Sequence, residues 1–256
     1  MSDFDRNYAA ARGFGADRAV AIDQGLRAHM IRVYNYMTVG VALTGVVAWL
    51  AYQAAGGEAI HISGRYLSGA TPFGQAILSG PLMWVLLFAP LGLVFFLSFR
   101  ISHLQASTAR LLFFVYAAVI GLGLTPIFIV YTSGSLARVF FLAAASFGAL
   151  SLWGYTTQRS LSAMGSFLMM GLFGLLLAIV VNVFWPSGAL QFAISVLGVL
   201  IFAGLTAWDT QRIKEMYSVM DDGTVAGRKA VMGALALYLD FLNMFLFLLR
   251  LFGDRR

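Results

Sequence analysis

The chain has 256 residues, 60% of them hydrophobic and only 11% charged, against about 25% charged in ordinary soluble domains. Polar surface on that scale cannot cover it in water, so it reads as one compact integral membrane domain. It contains no cysteine, which excludes disulfides, thiolate catalysis and Cys-based metal sites. Its net charge of +6 comes without a basic patch interleaved with aromatics, so anionic headgroups are expected partners and nucleic acid is not.

Residues 1–32 carry five Arg and four Asp and have no apolar core, so they do not read as a signal peptide. Asp17 can cap a helix in which Ile22, Leu26 and Met30 recur every four residues, the pattern of a short helix on the membrane surface. A partly disordered tail fits the same residues. The expected division is a tail over 1–32 and a membrane domain over 33–253.

Seven apolar segments follow, at about 33–55, 80–100, 111–132, 138–156, 162–184, 189–211 and 231–250, each near the roughly 20 residues that cross a bilayer. Residues 160–208 hold no Asp, Glu, Lys or Arg, a run of 49 that suits two spans. Trp185-Pro186-Ser187-Gly188 supplies the turn between them. Pro126 removes a backbone donor from the third segment and predicts a kink or break there.

Lys and Arg number twelve in the tail and alternate loops against two in the intervening loops, which predicts a cytoplasmic N-terminus. Seven spans then place Arg250, Arg255 and Arg256 on the opposite side, against the same rule. The strong bias of the earlier loops outweighs them.

Two aspartates interrupt the last two segments. A carboxylate near the bilayer centre costs roughly 2.5–3.5 kcal/mol on insertion scales, and such residues face a protein interior or a water-filled cavity. Asp209 lies in Ala207-Trp208-Asp209-Thr210-Gln211-Arg212, close to the cytoplasmic end of segment six. Asp240 lies about ten residues into segment seven, roughly 15 Å from its cytoplasmic end. Two antiparallel neighbours can bring the carboxyls together. Asn243, one turn beyond Asp240, is a candidate hydrogen-bond partner, and Thr210 is a second supporting polar group. Close carboxylates in low dielectric cannot both ionise cheaply and tend to share a proton. A protonated pair would bridge the helices, and an ionised pair would repel and attract a cation. Calcium, which prefers oxygen ligands, suits that pair as a metal. The plain alternative is two separate buried aspartates, each satisfied by a hydroxyl or an Arg. Arg100, at the cytoplasmic end of segment two, can pair with Asp209 or reach to headgroups.

The chain also lacks several kinds of chemistry. Lysine occurs only at 214 and 229, which excludes a retinal Schiff base inside the bundle. Histidine occurs only at 29, 61 and 103, outside the expected spans, so bis-His haem and a Ser–His intramembrane protease lose their residues. No phosphate loop is present, and no cofactor is expected.

Seven stretches carry a resemblance. They are Gly121–Ile127 (GLGLTPI), Val130–Thr132, Ala137–Phe141, Gly154–Thr157 (GYTT), Leu161–Phe167 (LSAMGSF), Gly204–Tyr217 (GLTAWDTQRIKEMY) and Ala236–Phe247 (ALYLDFLNMFLF). In these the chain resembles bacterial members of the transmembrane Bax inhibitor motif family (Bax inhibitor-1-like), over roughly residues 20–253. The resemblance implies an all-α fold of seven transmembrane helices, with a central C-terminal helix wrapped by two three-helix layers. It also implies a pH-sensitive calcium leak, with Asp209 and Asp240 as the pH sensor and Arg100 as a latch. The loops Gly56–Ser79 and Ser218–Lys229 are longer than in compact members.

The leading expectation is therefore a calcium leak channel or transporter of the plasma (bacterial inner) membrane, gated by protonation of Asp209 and Asp240, and not an enzyme. A regulatory protein that binds a membrane protease or stress partner without transport is the alternative. An intramembrane aspartyl protease would also need two aspartates sharing a proton, but the Gly-x-Gly-Asp pattern is absent around both.

Overall fold

The computed structural model describes residues 3–63 and 66–256, with side chains described for all of these except 3–23, 61–63, 66, 67, 98 and 102. The first helix, α1 (Asp3–Ala55), runs through residue 32 without a break. From Gln24, where its side chains are first described, the helix is long and apolar enough to cross a membrane, and Met30 and Val33 are already buried in the core. The expected boundary at residue 33 therefore falls inside a helix. The surface helix expected from Asp17 rests largely on side chains outside the described residues.

The loop after α1 is built rather than open. Gly56, Gly57 and Gly69 all have positive φ, a backbone state that costs other residues strain. They frame a hairpin of β1 (His61–Ser63) and β2 (Tyr66–Ser68), paired antiparallel with Ile62 opposite Leu67. Two helices follow, α2 (Pro72–Leu78) and α3 (Pro81–Arg100), bent by 51° at the break between them. Thr71 caps α2 and a proline opens each helix, where its missing N–H costs nothing.

Next comes α4 (Ala106–Gly123), then a short α5 (Pro126–Val130). The break falls at Pro126, as the missing donor predicts. The remaining helices are α6 (Ser133–Thr156), α7 (Ser162–Phe184), α8 (Gly188–Glu215) and α9 (Gly223–Phe252). Ser187 caps α8, inside the expected Trp185–Gly188 turn. Asp222 accepts from the Val225 N–H and caps α9, so the loop before α9 is shorter than Ser218–Lys229. Among the described residues six helical segments, α4 with α5 counted as one, are long and apolar enough to cross a membrane, and the bent α2–α3 pair passes the same test of length and composition when its two helices are taken together.

α9 is the central helix. Of its most apolar stretch 72% is buried, against 6% for α7. It packs against α8, α1, α6 and α4, while α3 packs on α4 and α7 on α8. Two groups of three, α1 with α3 and α4 and α6 with α7 and α8, thus enclose it. Only four of these helices pack extensively on α9, and the other two are peripheral.

The chain end is tied down at the α9 C-terminus. The Thr132 N–H donates to the Asp254 carbonyl, and the Arg256 N–H to the Val130 carbonyl. Arg138 pairs with Asp254. The Arg256 guanidinium donates to both carboxylate oxygens of Glu58, at 2.6 and 3.1 Å, the bidentate geometry that suits arginine. This hydrogen bond from Arg256 holds the Glu58 carboxyl below its ordinary value of 4.5. A lowered folded value means that the fastening is complete above 4.5 and is lost as pH falls through the lower value. Glu58 is exposed, so the fastening is local and screened. Amide exchange at Arg256, corrected for its intrinsic rate, should quicken as pH falls below 4.5. Glu58→Gln should make it fast at every pH. Exchange in the wild type that ignores this range would count against the pairing.

Candidate functional site

Each residue from 207 to 211 on α8 meets a different neighbour. A Cβ on Gly154 of α6 would fall on the Ala207 carbonyl, so α6 and α8 touch backbone to backbone there. The Trp208 indole lies against Gly165 of α7, with the Arg212 guanidinium 5.4 Å from its ring centroid. The Thr210 hydroxyl donates to the Thr206 carbonyl at 2.7 Å and lies 2.9 Å from the Ser151 hydroxyl of α6, which lies 2.6 Å from the Tyr34 hydroxyl of α1. Buried Gln211 accepts from the Leu161 N–H at 2.7 Å and donates to the Arg159 carbonyl at 2.9 Å. It satisfies backbone groups of the α6–α7 turn that would otherwise be orphaned.

The fifth member of the run, Asp209, faces α9. Gly233 of α9 packs on Ile213, and Gly198 of α8 packs on the Phe247 ring. In that antiparallel register Asp240 stands level with Thr206, about one turn from Asp209. The two carboxyls stand close enough across the α8–α9 contact for the charge on one to act on the other. A contact between two carboxyls holds only with a proton between them, because an ionised carboxylate has no donor.

The two members are not equivalent. The Asp209 side chain is 13% exposed and lies 3.9 Å from the Arg212 guanidinium. Asp240 is 4% exposed, and its Oδ2 has no hydrogen-bond partner among the described residues. A buried polar atom without a partner is costly, so this oxygen marks a place where a proton or cation would be stabilised.

Not every expected site residue joins the pair. Asn243 donates to the Leu239 carbonyl at 2.8 Å, its own preceding turn, and not to Asp240. Thr210 points to α6. Arg100 is exposed at the end of α3, and among the described residues no ion pair joins it to Asp209; the nearby cation is Arg212. His29, expected outside the spans, is buried within that of α1, with no hydrogen-bond partner for Nε2 among the described residues and its ring 5.8 Å from Tyr217. Among the described residues no group of three or more His, Cys, Asp or Glu could hold a metal. Calcium takes six to eight oxygens, more than the two carboxyls supply by themselves.

The rest of the central helix is fixed by rings and hydroxyls. The Tyr238 hydroxyl lies 2.6 Å from that of Thr44 on α1. The Phe241 ring meets Phe140 and Phe147 of α6 edge-on. Asp240 is thus clamped by neighbours on both sides.

Comparison with known proteins gives the family of the chain. The profile of the family described as "Inhibitor of apoptosis-promoting Bax1" matches residues 26–256. The chain belongs to the Bax inhibitor-1 family. It is 43% identical over 244 residues to the inner membrane protein YbhL of Escherichia coli K12, covering 94% of this chain and 97% of that one. An uncharacterized protein of Rickettsia prowazekii is 42% identical over 234 residues, 91% and 92% of the two chains. One from Caulobacter vibrioides is 42% identical over 263 residues and covers both chains fully. The family match thus takes in the four helices that pack on α9 and both aspartates.

Proposed function

We propose that this protein is a calcium leak of the bacterial inner membrane whose conductance is set by the proton shared between Asp209 and Asp240. It is a conduit and not an enzyme, and its N-terminus is cytoplasmic. The observation that carries the reading is a pair of buried carboxyls about one turn apart across the α8–α9 contact, one of them with an oxygen that has no hydrogen-bond partner among the described residues. Family membership supports it, as does the name of the inner membrane relative for the location.

The physical chain is short. With a proton between them, the carboxyls tie α8 to α9. Without it, two negative charges face each other in low dielectric, where repulsion is strong. They must separate or be bridged by a cation. A hydrated calcium ion offers two charges and accepts carboxylate oxygens readily. Because α9 is packed by both three-helix groups, any shift of α8 against it is passed to the whole bundle. Arg212 tempers the charge on Asp209 alone, since Asp240 has no cation of its own among the described residues.

The test is calcium entry into liposomes carrying the pure protein, followed between about pH 6 and 8, because two interacting carboxyls release their protons in separate steps. Entry that changes with pH is the expected result. A folded protein that passes no calcium at any pH would overturn the reading and direct attention to a protein partner.

A further inference from the structure

A trough runs along the bundle between α1 and α6. Both helices pack on α9, but α1 finds its other main neighbour in α4 and α6 finds its own in α8. The Tyr34–Ser151 hydroxyl contact bridges the gap. Three cavities follow one another in this seam, of about 540, 260 and 320 Å³. The first and second share Tyr34 and Phe147, and the second and third share Val41, Phe140 and Phe241. They form one trough, walled by α1 and α6 and floored by Phe241 of α9 in the second and third cavities. From Arg27 to Val41 it covers about 21 Å of helix, enough to pass the middle of a hydrocarbon layer about 30 Å thick.

The trough has a polar mouth and an apolar body. Arg27 and the Tyr155 ring line the mouth, and the Lys214 ammonium sits 5.4 Å from that ring and donates to the Tyr155 carbonyl. Deeper in, the walls are Met37, Ala144, Phe147 and Phe241. A Cβ added at Gly148, on the wall of the first cavity, would meet nothing within 4 Å. Positive charge at one end and an apolar channel behind it match a molecule with an anionic head and a hydrocarbon tail.

We propose that the trough binds an anionic phospholipid, with its headgroup at Arg27 and Lys214 and one acyl chain between α1 and α6. The bound lipid completes the packing around α9 where no helix does. Its headgroup sits at the mouth, and its chain runs inward past Tyr34 and Ser151.

The test uses the full chain in nanodiscs of equal phosphatidylglycerol and phosphatidylcholine, then native mass spectrometry of the released protein with its retained lipid. Phosphatidylglycerol should be retained in about fivefold excess, the factor for one basic residue at an anionic surface. Arg27→Gln should remove most of that preference. Gly148→Leu should fill the first cavity and lose the retained lipid, while Gly92→Leu, at an equally open glycine on α3, should keep it. Equal retention of the two lipids by the wild type would overturn the proposal, as would undiminished retention in folded Gly148→Leu.

Discussion

Asp209→Asn and Asp240→Asn should each leave calcium entry indifferent to pH. Asparagine keeps the volume of aspartate and can donate to the remaining carboxyl, so the α8–α9 contact survives. It neither takes up nor releases a proton in this range, so the contact no longer changes with pH. The two variants reach that state differently. In Asp240→Asn the remaining Asp209 keeps Arg212 as its partner at 3.9 Å. In Asp209→Asn the remaining carboxyl is the one with 4% exposure, and the α8 residue it faced as a carboxyl is now a neutral amide. Basal flux can therefore differ between the variants while both pH profiles are flat. Arg212→Gln serves as the control. It removes a charge beside the pair but no titrating group, so the response should move along the pH axis and persist. Full pH dependence in both Asn variants would show that the sensor lies elsewhere, and His29, buried with an orphaned nitrogen, would be the next group to replace.

The aspartates were legible in the sequence because the membrane makes them conspicuous. A carboxylate in a lipid-soluble segment must have a protein reason, and the helix register sets the two about one turn apart across the α8–α9 contact. The turn at Trp185–Gly188 and the break at Pro126 were legible for a local reason, since proline and glycine act through their own backbone. Span ends were not. α9 begins at Gly223 and α8 runs to Glu215, because a helix continues past the hydrocarbon wherever its residues can bond one another, and hydropathy does not record that. Partner choice was less legible still. Asn243 is on the same face as Asp240, but the Leu239 carbonyl one turn back is within its reach. Gln211 looked like a polar residue at a span end, and it holds two backbone groups of another helix pair. Such roles depend on register between helices, which the sequence of one helix does not contain. The bend between α2 and α3 belongs to the same class.

Gly154→Ala should destabilise the protein by about 3 kcal/mol or more, at the upper end for overpacking, whereas Gly148→Ala on the same helix should stabilise it by about 0.5–1 kcal/mol. The two glycines lie six residues apart on α6 and have opposite surroundings. At Gly154 an added methyl would strike the carbonyl oxygen, carbonyl carbon and Cα of Ala207. All three are backbone, so no rotamer change relieves the clash and α6 must move away from α8. Small residues that let helix backbones approach closely are a main source of packing in membranes, where no hydrophobic force drives helices together. The displacement would also stretch the Ser151–Thr210 contact one turn away and disturb Asp209 beside it. Gly148 faces the open trough, so a methyl there meets nothing and alanine recovers only the helix propensity that glycine gives up. Thermal unfolding of the two purified variants, followed by size-exclusion recovery, separates the cases. Equal midpoints would mean that α6 and α8 do not approach at Gly154, and the placement of the whole 207–211 run would then have to be redrawn.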